Sequence, residues 1–303
     1  MSRPWLIAML LLVACASQRV SPFMGDENYL AIGVDPDEQV RRIVEGLQAE
    51  GHEEAVRQRG RHFTALAFRD TDGQPSAVRV VTATGMALVV DGHPAESSTP
   101  ALRVGLLPAP RSHTTDFDGD GFEEVLVTLQ RGNAPACIVV YRVRDVGYVD
   151  PARIDFGPLG DAACVTAVRD VDGDGLFELV AAWSAGQLAL KRAPAVEAVL
   201  FSRDHRFTLE GEEAAARYYA AQAQTTTLRL LEQRDGGDRD AAWTAAAELG
   251  LLGFLQGGAA AARVQFDEAL AGLSPDPSRE AWVGRVRAFL ADPPPPAGSP
   301  LSR

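Results

Sequence analysis

The chain has 303 residues, 41 acidic against 29 basic, and a net charge of −12. That balance speaks against nucleic acid as a partner, because a phosphate backbone is held by a basic surface. The length leaves room for two domains, and beyond residue 13 no apolar run approaches the ~20 residues of a bilayer-spanning helix.

At the N-terminus Arg3 precedes an apolar run, residues 5–13, which is too short to span a bilayer. The run ends in Leu12-Val13-Ala14-Cys15. This resembles the bacterial lipobox, which implies that Cys15 is lipidated and becomes the new N-terminus. Ala16 rather than Asp follows it, which in that family implies sorting to the outer membrane. Residues 1–15 are therefore expected to be a lipoprotein signal peptide, with an ordinary signal peptide cut near Ala16 as the alternative, and residues 16–34 a tether. In segment 35–60 a helix is signalled. Asp35 stands at the cap, Pro36 in the first turn and Glu38 at the capping-box position. Val40, Ile43, Val44 and Leu47 recur at helical spacing, and Gly51 stops the run. Such an amphipathic helix is expected to cover a face or edge of the sheet that follows.

Residues 61–207 read as β. Short apolar runs recur between turn signals, at 63–68, 78–81, 86–90, 102–107, 125–129, 137–141, 179–183, 187–190 and 196–201. Ahead of two of these runs stand near-identical acidic loops, D-F-D-G-D-G-F-E-E from Asp116 and D-V-D-G-D-G-L-F-E from Asp170. Each places carboxylates at positions 1, 3, 5 and 9: Asp116, Asp118, Asp120 and Glu124, then Asp170, Asp172, Asp174 and Glu178. Four acids so close repel one another unless a cation sits among them, and a hard cation taking six to eight oxygens, calcium first, suits them. The backbone carbonyls of Phe122 and Leu176, at position 7, are candidate further ligands, and the paired glycines let each loop curl inward. An EF-hand needs Glu at position 12, where Val127 and Ala181 stand, and a helix on each side. The segments that follow are β-branched and strand-like instead.

An acidic loop running straight into a buried strand resembles the FG-GAP/VCBS repeat of integrin-α-type propellers and many exported bacterial proteins. The resemblance implies two calcium sites. A third, degenerate copy, Asp70-Thr71-Asp72-Gly73-Gln74, has lost positions 5 and 9 and is expected to be a turn rather than a cation site. The loops start at Asp70, Asp116 and Asp170, 46 and 54 residues apart, the length of a blade-like unit. About three such units are expected, one short of the four that a closed propeller needs. The fold class is thus β plus α, with propeller-like antiparallel repeats followed by a helical hairpin domain. Cys137 and Cys164 form a disulfide in an oxidising compartment or remain two buried thiols.

Residues 208–292 turn alanine-rich and helical. Helices are expected over 210–233, from Asp238 or Asp240 to about 256, on to 273 after Gly257-Gly258, and after Ser278 with Trp282, Val286, Phe289 and Leu290 on one face. Leu249-Gly250, Ala262, Phe266, Ala269 and Pro275 resemble a tetratricopeptide unit, with Gly253 where that pattern wants an aromatic. An Ala-rich hairpin that only packs on the β domain is the plainer alternative. Residues 293–303 are a Pro-rich tail.

The histidines His52, His62, His93, His113 and His205 show no ligand spacing, and no nucleophile elbow, P-loop or dinucleotide fingerprint occurs. His113 stands three residues before the first loop, and Arg142, Arg169 and Arg203 are candidate ion-pair partners of the acids. The expected function is a non-catalytic, lipid-anchored calcium-binding scaffold that meets another protein of the bacterial envelope. An adhesin or carbohydrate-binding module and an accessory domain of an envelope enzyme are the alternatives. Exposed aromatics on a β face would favour the former and a His–carboxylate pocket the latter.

Overall fold

The structure, a computed structural model, describes residues 35–109, 115–144, 148–157, 159, 163–209 and 213–293. The expected signal peptide 1–15 with Cys15, the expected tether 16–34, His113 and the residues beyond 293 lie outside the described residues.

Helix α1 (Pro36–Ala49) opens on Asp35, whose Oδ1 accepts the Asp37 N–H at 3.0 Å. Glu38 does not close a capping box. Its carboxylate is taken by Arg41 and Arg42, one turn on, because two guanidinium groups at helical spacing outcompete a neutral N–H. The helix ends where Gly51 takes φ 91°, and the His52 N–H returns to the Leu47 carbonyl at 2.9 Å.

Three mostly antiparallel sheets follow, so the β-plus-α class holds. The first is a meander of β1 (Glu53–Arg59), β2 (Phe63–Arg69), β3 (Pro75–Thr82) and β4 (Gly85–Asp91). The second repeats it with β5 (Leu102–Leu107), β6 (Glu123–Arg131), β7 (Cys137–Val143) and β8 (Val149–Pro151). The third runs β10 (Cys164–Arg169), β11 (Glu178–Ser184), β12 (Ala195–Arg203) and β13 (Arg206–Thr208), with the short β9 (Arg153–Asp155) parallel to β13. Strands β8, β9, β10 and β13 fall outside the expected runs, and two further segments differ from expectation. Residues 53–59, placed with the N-terminal helical segment, are the edge strand β1. Its charged sequence E-E-A-V-R-Q-R hides it from a hydrophobicity search and suits an edge, where charge discourages pairing with another chain. Residues 187–190, expected as a strand, begin with a 3-10 turn, Gly186–Leu188, whose Leu188 carbonyl accepts the Trp282 indole N–H at 2.9 Å.

The layers stack in sequence order because alternate residues of a strand face opposite sides. On β2, Leu66 and Phe68 meet Val40 and Leu47 of α1, while Phe63, Ala65 and Ala67 meet Val104, Val125 and Val127 of the second sheet. Leu126, Ile138 and Val140 on the second sheet's other face join the core made by the third sheet and the helices. Each fully buried Val, Leu or Phe contributes about 1.5–3 kcal/mol of transfer free energy. Cys137 on β7 and Cys164 on β10 are joined by a disulfide, which staples the second sheet to the third across 27 residues.

The far side of the third sheet is covered by α2 (Glu213–Asp235), α3 (Arg239–Ala271) and α4 (Glu280–Ala291). Asp238 caps α3, accepting the Ala241 N–H at 3.2 Å. Non-helical torsions at Gly257 (φ −158°) and Gly258 (φ 69°) break α3 into a hairpin. A Cβ at Gly253 would stand 2.8 Å from the Ala261 carbonyl oxygen, so glycine there lets the two arms touch. By length and composition α3 is apolar enough to cross a membrane, but 56% of its apolar window is buried inside the protein, as befits a core helix. Ser278 is not the cap of α4. Asp276 accepts the Ser278 N–H at 3.0 Å and opens a 3-10 turn, Pro277–Arg279, ahead of the helix. Trp282, Val286, Phe289 and Leu290 are the buried face of α4.

Candidate metal centre

The two acidic loops share one hydrogen-bond skeleton. Position 3 accepts the N–H of position 5: Asp120 N–H to Asp118 Oδ1 at 3.1 Å, and Asp174 N–H to Asp172 Oδ1 at 3.0 Å. Position 5 accepts the N–H of position 7: Phe122 to Asp120 Oδ1 at 2.9 Å, and Leu176 to Asp174 Oδ1 at 2.6 Å. Position 1 accepts from the second glycine: Gly121 to Asp116 Oδ2 at 3.2 Å, and Gly175 to Asp170 Oδ2 at 3.1 Å. Position 9 reaches back to position 2: Phe117 N–H to Glu124 Oε2 at 3.1 Å, and Val171 N–H to Glu178 Oε2 at 2.7 Å. The curl needs positive φ at all four glycines, 73° and 91° at Gly119 and Gly121, 81° and 92° at Gly173 and Gly175.

These bonds aim the carboxylates inward, although Asp170 also accepts the Gly173 N–H at 2.7 Å and so has both oxygens on backbone donors. Asp116, Asp118, Asp120 and Glu124 each offer an oxygen within 4.8 Å of the others, a set that could hold a metal ion. Asp170, Asp172 and Asp174 form a second such group, more exposed, and Glu178 falls outside it. Its Oε2 accepts the Val171 N–H just as Glu124 accepts that of Phe117. At the first loop Glu124 is 1% exposed and its Oε1 has no hydrogen bond; the nearest cationic atom is Arg142 Nε at 3.8 Å. A buried carboxylate oxygen without a donor is costly unless a cation reaches it. Burial, then the charge of Asp118, pushes the Glu124 carboxyl up to about 10. Burial also pushes Glu178 up to about 7 and raises Asp118.

Arg142 apart, sequence reasoning did not find the residues that bind the loops to their surroundings. Position 8 ties each loop to the preceding sheet. Glu123 accepts the Arg61 and His62 N–H groups, at 2.6 and 2.8 Å, from the β1–β2 turn. The Phe177 N–H donates to the Phe117 carbonyl at 2.9 Å, so the two acidic loops are bonded to each other. Arg142 on β7 lies opposite Glu124 in the ladder. Its Nη2 stands 3.0 Å from Asp118 Oδ2 and 2.7 Å from Asp120 Oδ2, its Nη1 donates to the His205 carbonyl, and the guanidinium lies over the Phe207 ring, 5.3 Å from its centre. Of the three arginines expected as ion-pair partners of the acids, Arg142 is one in the structure. Arg169 does not serve a loop and pairs with Glu197 and the Tyr218 hydroxyl, each at 3.1 Å. The Phe122 ring meets the His205 edge at 5.0 Å, and the half-exposed Leu176 side chain lies over Gly119.

The degenerate copy is a hairpin turn. Asp70 Oδ1 accepts the Asp72 and Gln74 N–H groups at 3.0 and 2.8 Å. It joins the second and third strands of its sheet, whereas the other two loops join first and second, so the three copies do not share one phase. The cause is β1, which adds a strand in front.

Comparison with known proteins finds no matching family model, no matching curated protein and no matching solved structure.

A carboxyl raised from 4.5 to about 7 in the folded state stabilises the fold only while protonated, fully below 4.5 and no longer once the pH has passed about 7. In chelator, the melting temperature is therefore expected to fall as pH rises from about 5 to about 8. Glu178→Gln, whose amide oxygen still accepts from Val171, should make that fall shallower, the rest being carried by Glu124. A wild-type profile that rises over the window would contradict the assignment.

Proposed function

We propose that the chain is an exported, lipid-anchored scaffold lipoprotein of the bacterial envelope, non-catalytic, in which two calcium ions stiffen a stack of propeller-like β units and the helices meet a protein partner. The observation that carries this reading is the cage of Asp116, Asp118, Asp120 and Glu124, with a buried Glu124 oxygen that no donor reaches. Carboxylate oxygens in a curled, glycine-hinged loop suit a hard cation, and calcium tolerates the irregular shell that such a loop provides.

Two four-stranded meanders, and a third with one added parallel strand, support the reading of the sheets as blade-like units. Helices cover the outer face of the first sheet and of the third, so the units form a capped stack rather than a closed ring. A protein partner is favoured by Leu228, Leu231 and Val264, which stand exposed on α2 and α3. Among the described residues the large exposed apolar side chains include a single aromatic, Tyr148, which gives a carbohydrate-binding face little to build on. The anchor rests on the lipobox-like Leu12-Val13-Ala14-Cys15.

Calcium that binds only the folded chain stabilises it by mass action. With calcium about a hundredfold above its dissociation constant, Asp118→Ala and Asp172→Ala should each cost about 2–3 kcal/mol, roughly 5–10 °C in melting temperature. In chelator Asp172→Ala should melt close to the wild type, while Asp118→Ala keeps only the smaller loss from its broken Arg142 pair; an Asp172→Ala loss equal in both conditions would remove calcium from the account. Cys15→Ser should move the protein from the membrane to the soluble fraction of a bacterial lysate, and its retention with membranes would refute the lipid anchor.

A further inference from the structure

We infer that Arg142 sets the order in which the two loops take a divalent cation: its guanidinium already occupies the oxygens of the 116–124 loop, so this loop fills second and only in exchange for it, whereas the 170–178 loop fills directly. The inference rests on the reading of both loops as cation sites.

Because the two loops share one hydrogen-bond skeleton, they can be compared atom by atom. In each, the Oδ1 atoms at positions 3 and 5 accept backbone N–H groups. That leaves the Oδ2 atoms to other partners, and Asp120 Oδ2 also meets His205 Nδ1 at 3.2 Å. In the 116–124 loop, Asp118 Oδ2 and Asp120 Oδ2 are bound by Arg142 Nη2 at 3.0 and 2.7 Å, and Arg142 Nε lies 3.8 Å from the otherwise unbonded Glu124 Oε1. In the 170–178 loop no cationic side chain among the described residues reaches Asp170, Asp172 or Asp174. The ladders show why. Glu124 lies opposite Arg142 in the β6–β7 pair. In the β11–β12 pair Leu179 lies opposite Leu200, so one step along Glu178 meets Phe201, a phenyl ring where the other sheet has a guanidinium.

A divalent ion that needs six to eight oxygens must displace the guanidinium from the 116–124 loop. It then loses two charge-assisted hydrogen bonds and meets a positive charge a few ångströms away. The displaced group keeps a resting place on the His205 carbonyl and the Phe207 ring, both on the β12–β13 hairpin of the neighbouring sheet. Arg142 thereby offsets part of the negative charge at the seam between the second and third sheets before any cation arrives. The consequence is a pair of unequal sites from near-identical sequences.

Calorimetric titration of the full chain with calcium tests this. The wild type should bind in two steps separated by about tenfold or more in affinity. Asp172→Ala should abolish the tighter step and Asp118→Ala the weaker. Arg142→Gln, its fold checked by circular dichroism, should tighten the weaker step and bring the two together. Arg142→Lys, which keeps a charge but not the planar fork, should narrow the gap partway and serves if the glutamine variant does not fold. Loss of the tighter step in Asp118→Ala, equal wild-type affinities, or a gap that neither Arg142 variant narrows would overturn the inference while leaving the sites in place. A wild-type titration without any step would instead remove the cation sites themselves, and the inference with them.

Discussion

The structure depends on how negative charge is tolerated where its second and third sheets meet. Two acid-rich loops are hydrogen-bonded to each other there, and Glu124 and Glu178 stand within the first two residues of strands whose next residues are buried. Glu124 and Glu178 cannot move to solvent without pulling β6 and β11 out of register, because their carboxylates also hold the loop closed through Phe117 and Val171. Burial of these acids is therefore a consequence of the fold, and the fold needs a positive partner for them. At the first loop Arg142 supplies part of it.

The remaining architecture spreads from that seam. Glu123 fastens the first loop to the first sheet, Phe177 fastens the second loop to the first loop, and the Cys137–Cys164 bond closes the same interface from the strands. Each sheet presents apolar side chains to both sides, so a stack must be covered at its ends. Helix α1 covers one end and the α2–α4 group the other, and the small residues of α3 let its two arms lie close.

Much of this was legible in the sequence because it was written in local chemistry. The acid spacing and paired glycines placed both loops, Gly257-Gly258 placed the break in α3, and residues 102–107 read directly as β5. What escaped was decided at a distance. Strand β1 is polar and is recognised only by its pairing with β2. The β1–β2 turn shows its need for a carboxylate only once Glu123 is beside it. Arg142 was recognisable as a partner for the acids, but its place opposite Glu124 is set only by the ladder. The degenerate copy at Asp70 resembles its relatives in spelling, yet sits one strand out of step, since spelling does not count the strands in front of it.

The account stands on the loops being cages rather than acidic turns. The most direct measurement is native mass spectrometry of the folded chain exchanged into volatile buffer with calcium at millimolar level. The account predicts two retained ions per chain, one of them lost in a variant lacking the Asp118 carboxylate. A wild-type chain that keeps its fold and retains no ion would contradict it.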